Sequence, residues 1–278
     1  MMTLIIEAVI TGLLTGGVYA LMASGLTLVF GVMDIINVGQ GALVILGAYL
    51  SYVLEQYLHI DLFLGLLITI PVMFVLGLLI EWLFIRPIKR DRTMLSILVT
   101  FGVALVIEGV LNLIFSTDFV QLHAWYVTAS FQVGGFYLAY IYVFGFLLAV
   151  VLLGALYLLL YRTKFGHSLR ATMQNRTAAE LIGIALAAAG GMAFGATTSF
   201  NANSSYDLIS RLLAIIIFGG MGSLRGAMIA SLGMLVVEDV TSVVWSPIWA
   251  STVFFILLVI ILLARPQGLF GQVEGRKQ

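Results

Sequence analysis

The sequence predicts an all-α fold, a polytopic transmembrane helical bundle of about eight or nine membrane segments, and three observations carry that prediction. Of 278 residues, 62% are hydrophobic and only 9% charged, and mean hydropathy is +1.15, outside the range of a soluble domain. Long uncharged stretches follow one another without period-two alternation. That pattern selects helices over a closed barrel as the way to satisfy backbone polar groups in lipid. Lys and Arg gather in three short segments, which fixes an orientation.

In order, the uncharged stretches are residues 8–33, 35–54, 62–80, 93–107, 119–161, 181–206, 212–224, 226–237 and 240–264. The opening MMTLIIEAVITGLL has no basic leader and no small-residue cleavage site, so it reads as the first membrane helix. The first three helices are expected at about residues 4–30, 38–56 and 62–85, and the fourth and fifth bracket an outer segment near 118–135. The basic segments 86–92, 161–176 and 265–277 are expected on the cytoplasmic side. Segments 55–61, 117–135, 201–207 and 238–247 contain no Lys or Arg and suit the outside. Parity then places the N-terminus outside and the C-terminus in the cytoplasm. Residues 208–222 must return inward and 227–244 go outward, either as two full helices or as a broken, re-entrant pair. With no repeat, linker or low-complexity tract, residues 1–278 read as one membrane domain with a cytoplasmic loop at about 162–183.

Several function classes drop out. Net charge is zero and basic residues are few, which argues against a nucleic-acid partner; the lipid bilayer is the expected surroundings. Absence of cysteine excludes disulfides and thiolate chemistry. There is no GxxxxGK[ST], HExxH or GxSxG motif, and His59, His123 and His167 lie far apart. The chain is therefore not expected to be an enzyme, to hydrolyse ATP, or to hold a metal or cofactor.

Gly12, Gly16, Gly17, Gly39, Gly41, Gly47, Gly190, Gly191 and Gly195 suit close helix packing or a backbone-lined path. Residues 34–41 read DIINVGQG and place Asp34, Asn37 and Gln40 between two apolar stretches. Polar side chains at membrane depth are costly, so this reads either as a broken helix facing a path or as a short turn capped by Asn37. Glu81 suits an interfacial anchor, and Glu108 lies near the outer end of its helix. Arg211 can pair with Asp207 at the i to i+4 spacing or face a solute. Residues 165–183 carry Leu169, Met173 and Leu181 at helical spacing among polar residues, which predicts a short surface helix resting on lipid or on a partner.

Four blocks then resemble one family in order: residues 12–52 (GLLTGGVYAL…AYLSY), FGHSLRATMQNRTAAELIGI, FGGMGSLRGAMIASLGML and ARPQGLFG. Together they are similar to the Liv-type permease subunits of branched-chain amino-acid ABC transporters, particularly the LivH branch. The resemblance implies an ABC importer permease fold in the inner membrane. It implies three kinds of partner: a second, LivM-like permease, two cytoplasmic ATPase subunits that bind the ATP, and an external substrate-binding protein. It also implies that Gly166, Leu169, Arg170, Ala178, Ala179, Leu181 and Gly183 form the loop that couples to an ATPase. Asn37, Gln40 and Gly41 match the family block after helix one, where substrate-pathway residues are expected.

Two departures stand out. Where the family often has N-F-A-H-G, this chain has N-V-G-Q-G, with Gln40 in place of a titratable group. The polar stretch expected after the coupling loop is missing, because Ile184 passes directly into ALAAAGGMAFGATTSF. The chain is shortened there by about one half to one helix, so the sixth helix is expected to start at the loop and to be thin, strained or mispositioned. Branched-chain or related small apolar amino acids are the expected substrates, with amides or urea as alternatives. A secondary transporter running alone on an ion gradient is the rival class, and it lacks paired intramembrane carboxylates or an evident inverted repeat.

Overall fold

The structure is a computed structural model that describes residues 1–33, 35–87, 92–133, 135–163, 166 and 176–271. The helices are α1 (Met2–Met33), α2 (Gln40–Leu58), α3 (Leu62–Ile80), α4 (Arg92–Phe115), the short α5 (Trp125–Thr128), α6 (Tyr140–Arg162), α7 (Arg176–Thr197), α8 (Ser204–Gly219), α9 (Leu224–Val244) and α10 (Pro247–Ala264). A π-helical turn, Glu81–Ile85, extends α3, so that its span runs over Leu62–Ile85. Among the described residues, eight helices are long and apolar enough to cross a membrane. The ninth long one, α8, has 16 residues and covers about 24 Å, short of a hydrocarbon core of about 30 Å. The expected choice over 208–244 is thus resolved as one short helix followed by one full-length helix.

The core of the bundle is α7. About 83% of its apolar stretch is buried, against 22% for α4 and 11% for α10, which places those two at the periphery. Its composition explains the position: ALAAAGGMAFGA offers almost no side-chain bulk, so α1, α2 and α3 all pack against it. A Cβ added at Gly47 would lie 2.8 Å from the Cα of Ala188, and one at Gly191 would strike the Val44 carbonyl. Leu26, Ile45, Met73, Ile184 and Phe254 fill the interior around these crossings.

The sixth helix starts within the basic loop segment, as the missing spacer predicts, but it is not thin. α7 is 22 residues long because it begins at Arg176, inside the segment read as a surface helix. A crossing needs about 20 residues, and with the polar spacer gone the helix takes its first two turns from residues 176–183. A second departure is small. Ser130–Val133 (β1) pairs antiparallel with Phe136–Ala139 (β2), with Gly135 at φ 98° in the turn, and this hairpin rests beside α5 and α6.

Contacts sort the loops onto two sides. On one, Gly31 near the end of α1 approaches Gly222 in the α8–α9 turn, and Thr177 Oγ1 donates to Glu81 Oε1 at 3.1 Å. There too the C-terminal segment straps the same turn: Leu269 N–H donates to the Phe218 carbonyl at 2.9 Å and Phe270 N–H to the Gly219 carbonyl at 3.1 Å. Gly220 and Gly222, at φ 99° and 80°, make that turn possible. On the other side Val120 bridges Phe200, and Tyr126 Oη donates to Asp61 Oδ2 at 2.9 Å. Exposed Trp125, Tyr137, Trp245 and Trp249 line that side as interfacial anchors.

Candidate functional site

Residues 35–39 interrupt the path from α1 to α2 without leaving the protein interior: Asn37 is 4% exposed and Gln40 is fully buried. Three helices hold the break. Gln40 Nε2 donates to the Gly183 carbonyl of α7 at 3.1 Å, across a crossing where Gly25 and Gly183 bring α1 and α7 into backbone contact. Val38 N–H donates to Thr100 Oγ1 of α4 at 3.2 Å, and that hydroxyl donates in turn to the Ser96 carbonyl at 2.8 Å. Gly41 abuts the backbone of α8 at Ser205 and Ile209. The cap of α2 is Gly39 and has no side-chain hydrogen bond, so Asn37 does not act as the expected side-chain cap. Gln40 Oε1 is buried without a partner among the described residues.

The Thr100 contact is one end of a track along α4. Ser96, Thr100, Ala104, Glu108 and Asn112 recur every four residues, one face of a helix over about 24 Å, whereas Leu98, Val106 and Leu113 point out to lipid. At the far end Asn112 Nδ2 donates to Asn203 Oδ1 at 3.2 Å. Glu108 Oε2 and Asn112 Oδ1 are buried without partners among the described residues. Surplus acceptor oxygens inside a membrane suit a solute or water that donates hydrogen bonds. Asn37, Gln40 and Gly41 are therefore brought together, and beside Glu108 α4 supplies Ser96, Thr100 and Asn112, which sequence reasoning did not single out. The four-residue spacing was the available signal.

Arg211 forms a separate cluster. Its Nε donates to Asp207 Oδ2 at 2.9 Å, its Nη1 to Glu238 Oε2 at 2.6 Å and its Nη2 to Ser251 Oγ at 3.0 Å, and the guanidinium lies 5.7 Å from the Phe254 ring centroid. The expected i to i+4 pair is present, but Glu238, 27 residues on, is the buried partner. With all three nitrogens engaged, Arg211 clamps α8, α9 and α10 together instead of facing a solute.

The seven residues matched to the coupling loop are divided by the structure. Leu169 and Arg170 lie outside the described residues. Gly166 is buried against the Leu159 and Leu160 carbonyls, and its N–H donates to Thr163 Oγ1 at 3.0 Å. Ala178, Ala179, Leu181 and Gly183 are on α7; Ala179 is fully buried and Leu181 is 7% exposed. Residues 176–183 of the expected loop at about 162–183 therefore belong to α7. Among the described residues no group of three or more His, Asp and Glu side chains could hold a metal ion.

A bundle of crossing helices around a broken helix junction and an internal polar track defines a polytopic membrane permease. A family profile described as "Branched-chain amino acid transport system / permease component" matches residues 8–262, and the chain belongs to that family. It is 24% identical to the high-affinity branched-chain amino acid transport system permease protein BraD of Pseudomonas aeruginosa, over 98% of this chain and 97% of that one. It is 24% identical to LivH of Escherichia coli K12 over the same shares, and 30% identical to a probable LivH of Methanocaldococcus jannaschii over 92% of this chain and 89% of that one. The match to BraD runs over 301 positions, more than the 278 residues present here, so that relative carries residues this chain lacks. No solved structure gives a significant match.

Proposed function

We propose that this chain imports branched-chain amino acids as one permease of an ABC importer in the inner membrane. A second, LivM-like permease completes the pore, two cytoplasmic ATPase subunits supply the energy, and an external binding protein delivers the substrate. The observation that carries this reading is the family match, which extends from α1 to the end of α10. The charge distribution supports a cytoplasmic location for the ends of α3, α6 and α10, with the N-terminus outside. In this reading the solute passes along the α4 track and the α1–α2 junction, where an ammonium group meets the unpartnered oxygens of Glu108, Asn112 and Gln40.

The start of α7 suits a coupling role for the segment before it. Arg176 is seven residues, about 10 Å of helix, from Gly183, whose carbonyl holds Gln40. A push on the cytoplasmic end of α7 by a closing ATPase therefore reaches the pathway through one rigid element. Radiolabelled leucine uptake in cells deleted for this gene and complemented with it tests the assignment. Loss on deletion and recovery on complementation are expected, with collapse when ATP is depleted. Uptake that persists without ATP and falls with an ionophore would overturn it.

A further inference from the structure

Between α1, α6 and α9 runs a groove of about 350 Å3 that the polar track does not touch. Its floor is formed by residues too small to fill it. Ala20, Ala149 and Gly154 line it, and a Cβ placed at Gly154 would meet no atom within 4 Å. The α6 residues that line it recur at intervals of three and four from Phe146 to Tyr161, one helix face about 22 Å long. At the inner end the Phe146 ring lies against Gly17, and no α6 residue before Phe146 lines the groove. The open end is different in chemistry. There Tyr157 and Tyr161 stack at 4.5 Å between centroids, and exposed Arg225 stands at the start of α9. No acidic side chain pairs with Arg225 among the described residues.

We propose that this groove binds one anionic phospholipid, with an acyl chain between α1, α6 and α9 and the phosphate on Arg225. Length supports this occupant. Half of a core of about 30 Å plus one headgroup zone comes to about 20–22 Å, the reach from Tyr161 to Phe146. Charge supports it as well, because a basic pocket between membrane helices on the cytoplasmic side suits an anionic headgroup, and tyrosines sit well at headgroup depth. A crossing helix of another subunit fits poorly. It would need the groove to continue past Phe146 along the remaining turns of α6, and no residue there lines it. The cytoplasmic placement rests on the orientation proposed above, but lipid binding is tested without it, since mixed micelles present headgroups to every surface.

The experiment is lipid retention by the purified native assembly. After exchange into detergent micelles containing equal phosphatidylglycerol and phosphatidylcholine and an extensive wash, retained lipid per chain is measured by mass spectrometry. The wild type should keep phosphatidylglycerol in preference. Arg225→Gln, a surface change that leaves packing alone, should lower that retention about fivefold without affecting phosphatidylcholine. Gly154→Phe should remove both lipids at an unchanged elution volume. Equal phosphatidylglycerol retention by the wild type and Arg225→Gln would overturn the proposal. So would intact lipid retention in Gly154→Phe together with release of another protein subunit, which would mark the groove as a subunit interface.

Discussion

Gln40 is buried with one end satisfied and the other not: its amide N–H reaches the Gly183 carbonyl, and its Oε1 has no partner among the described residues. An oxygen held that way costs about 1–3 kcal/mol, so replacing the side chain by an apolar one of similar size should be nearly neutral or stabilising. Gln40→Leu is accordingly expected to melt at or slightly above the wild-type temperature in detergent while leucine uptake falls sharply. Unchanged uptake would remove Gln40 from the pathway. At Arg211 the expectation is reversed. Arg211→Ala leaves Glu238 buried and unpaired and should cost about 3–5 kcal/mol, whereas the Arg211→Ala/Glu238→Ala double variant should regain most of that loss. Thermal denaturation of the two variants checks this, and equal destabilisation of both would contradict the clamp. The break between α1 and α2 around Asn37 and Gln40 was legible in the sequence because polar groups flanked by apolar runs stand out. The Glu238 partner was not, since a pair 27 residues apart depends on how α8 and α9 cross.

At the scale of elements, the position of α7 decides which residues can face a partner. The chain has no native cysteine, so single cysteines report accessibility directly. A cysteine at Thr163, exposed at the end of α6, should react with a soluble maleimide in opened membranes. One at Ala179, fully buried on α7, should stay unlabelled until the protein is denatured. Equal labelling of the two would restore a surface helix reaching to residue 183. Hydropathy could not place this boundary, because residues 176–183 (RTAAELIG) mix polar and apolar groups and suit either a surface helix or the first turns of a crossing. The β1–β2 hairpin escaped for a related reason. Its residues SFQV and FYLA lie inside one uncharged run, where strand and helix give the same signal. The crossings themselves were legible, since length and apolarity alone specify a membrane helix.

At the scale of the whole molecule, the ends of α3, α6 and α10, which adjoin the basic segments of the sequence, lie on one side, and the exposed tryptophans of α5 and the start of α10 lie on the other. Helix number and the grouping of the connections into two sets followed from composition and charge because both are one-dimensional signals. Depth within the bundle did not: the central place of α7 and the peripheral place of α4 arise from which faces are smooth enough to meet, a property of pairs of helices. The chain belongs to a family of permease components, each one part of a transport system. The most direct measurement is mild-detergent affinity purification of this chain from its native membrane, with co-purifying proteins identified by mass spectrometry. Recovery of a second permease and nucleotide-binding subunits in fixed stoichiometry is the predicted result. A stable, folded chain that purifies alone and supports ion-driven uptake in vesicles would contradict the account.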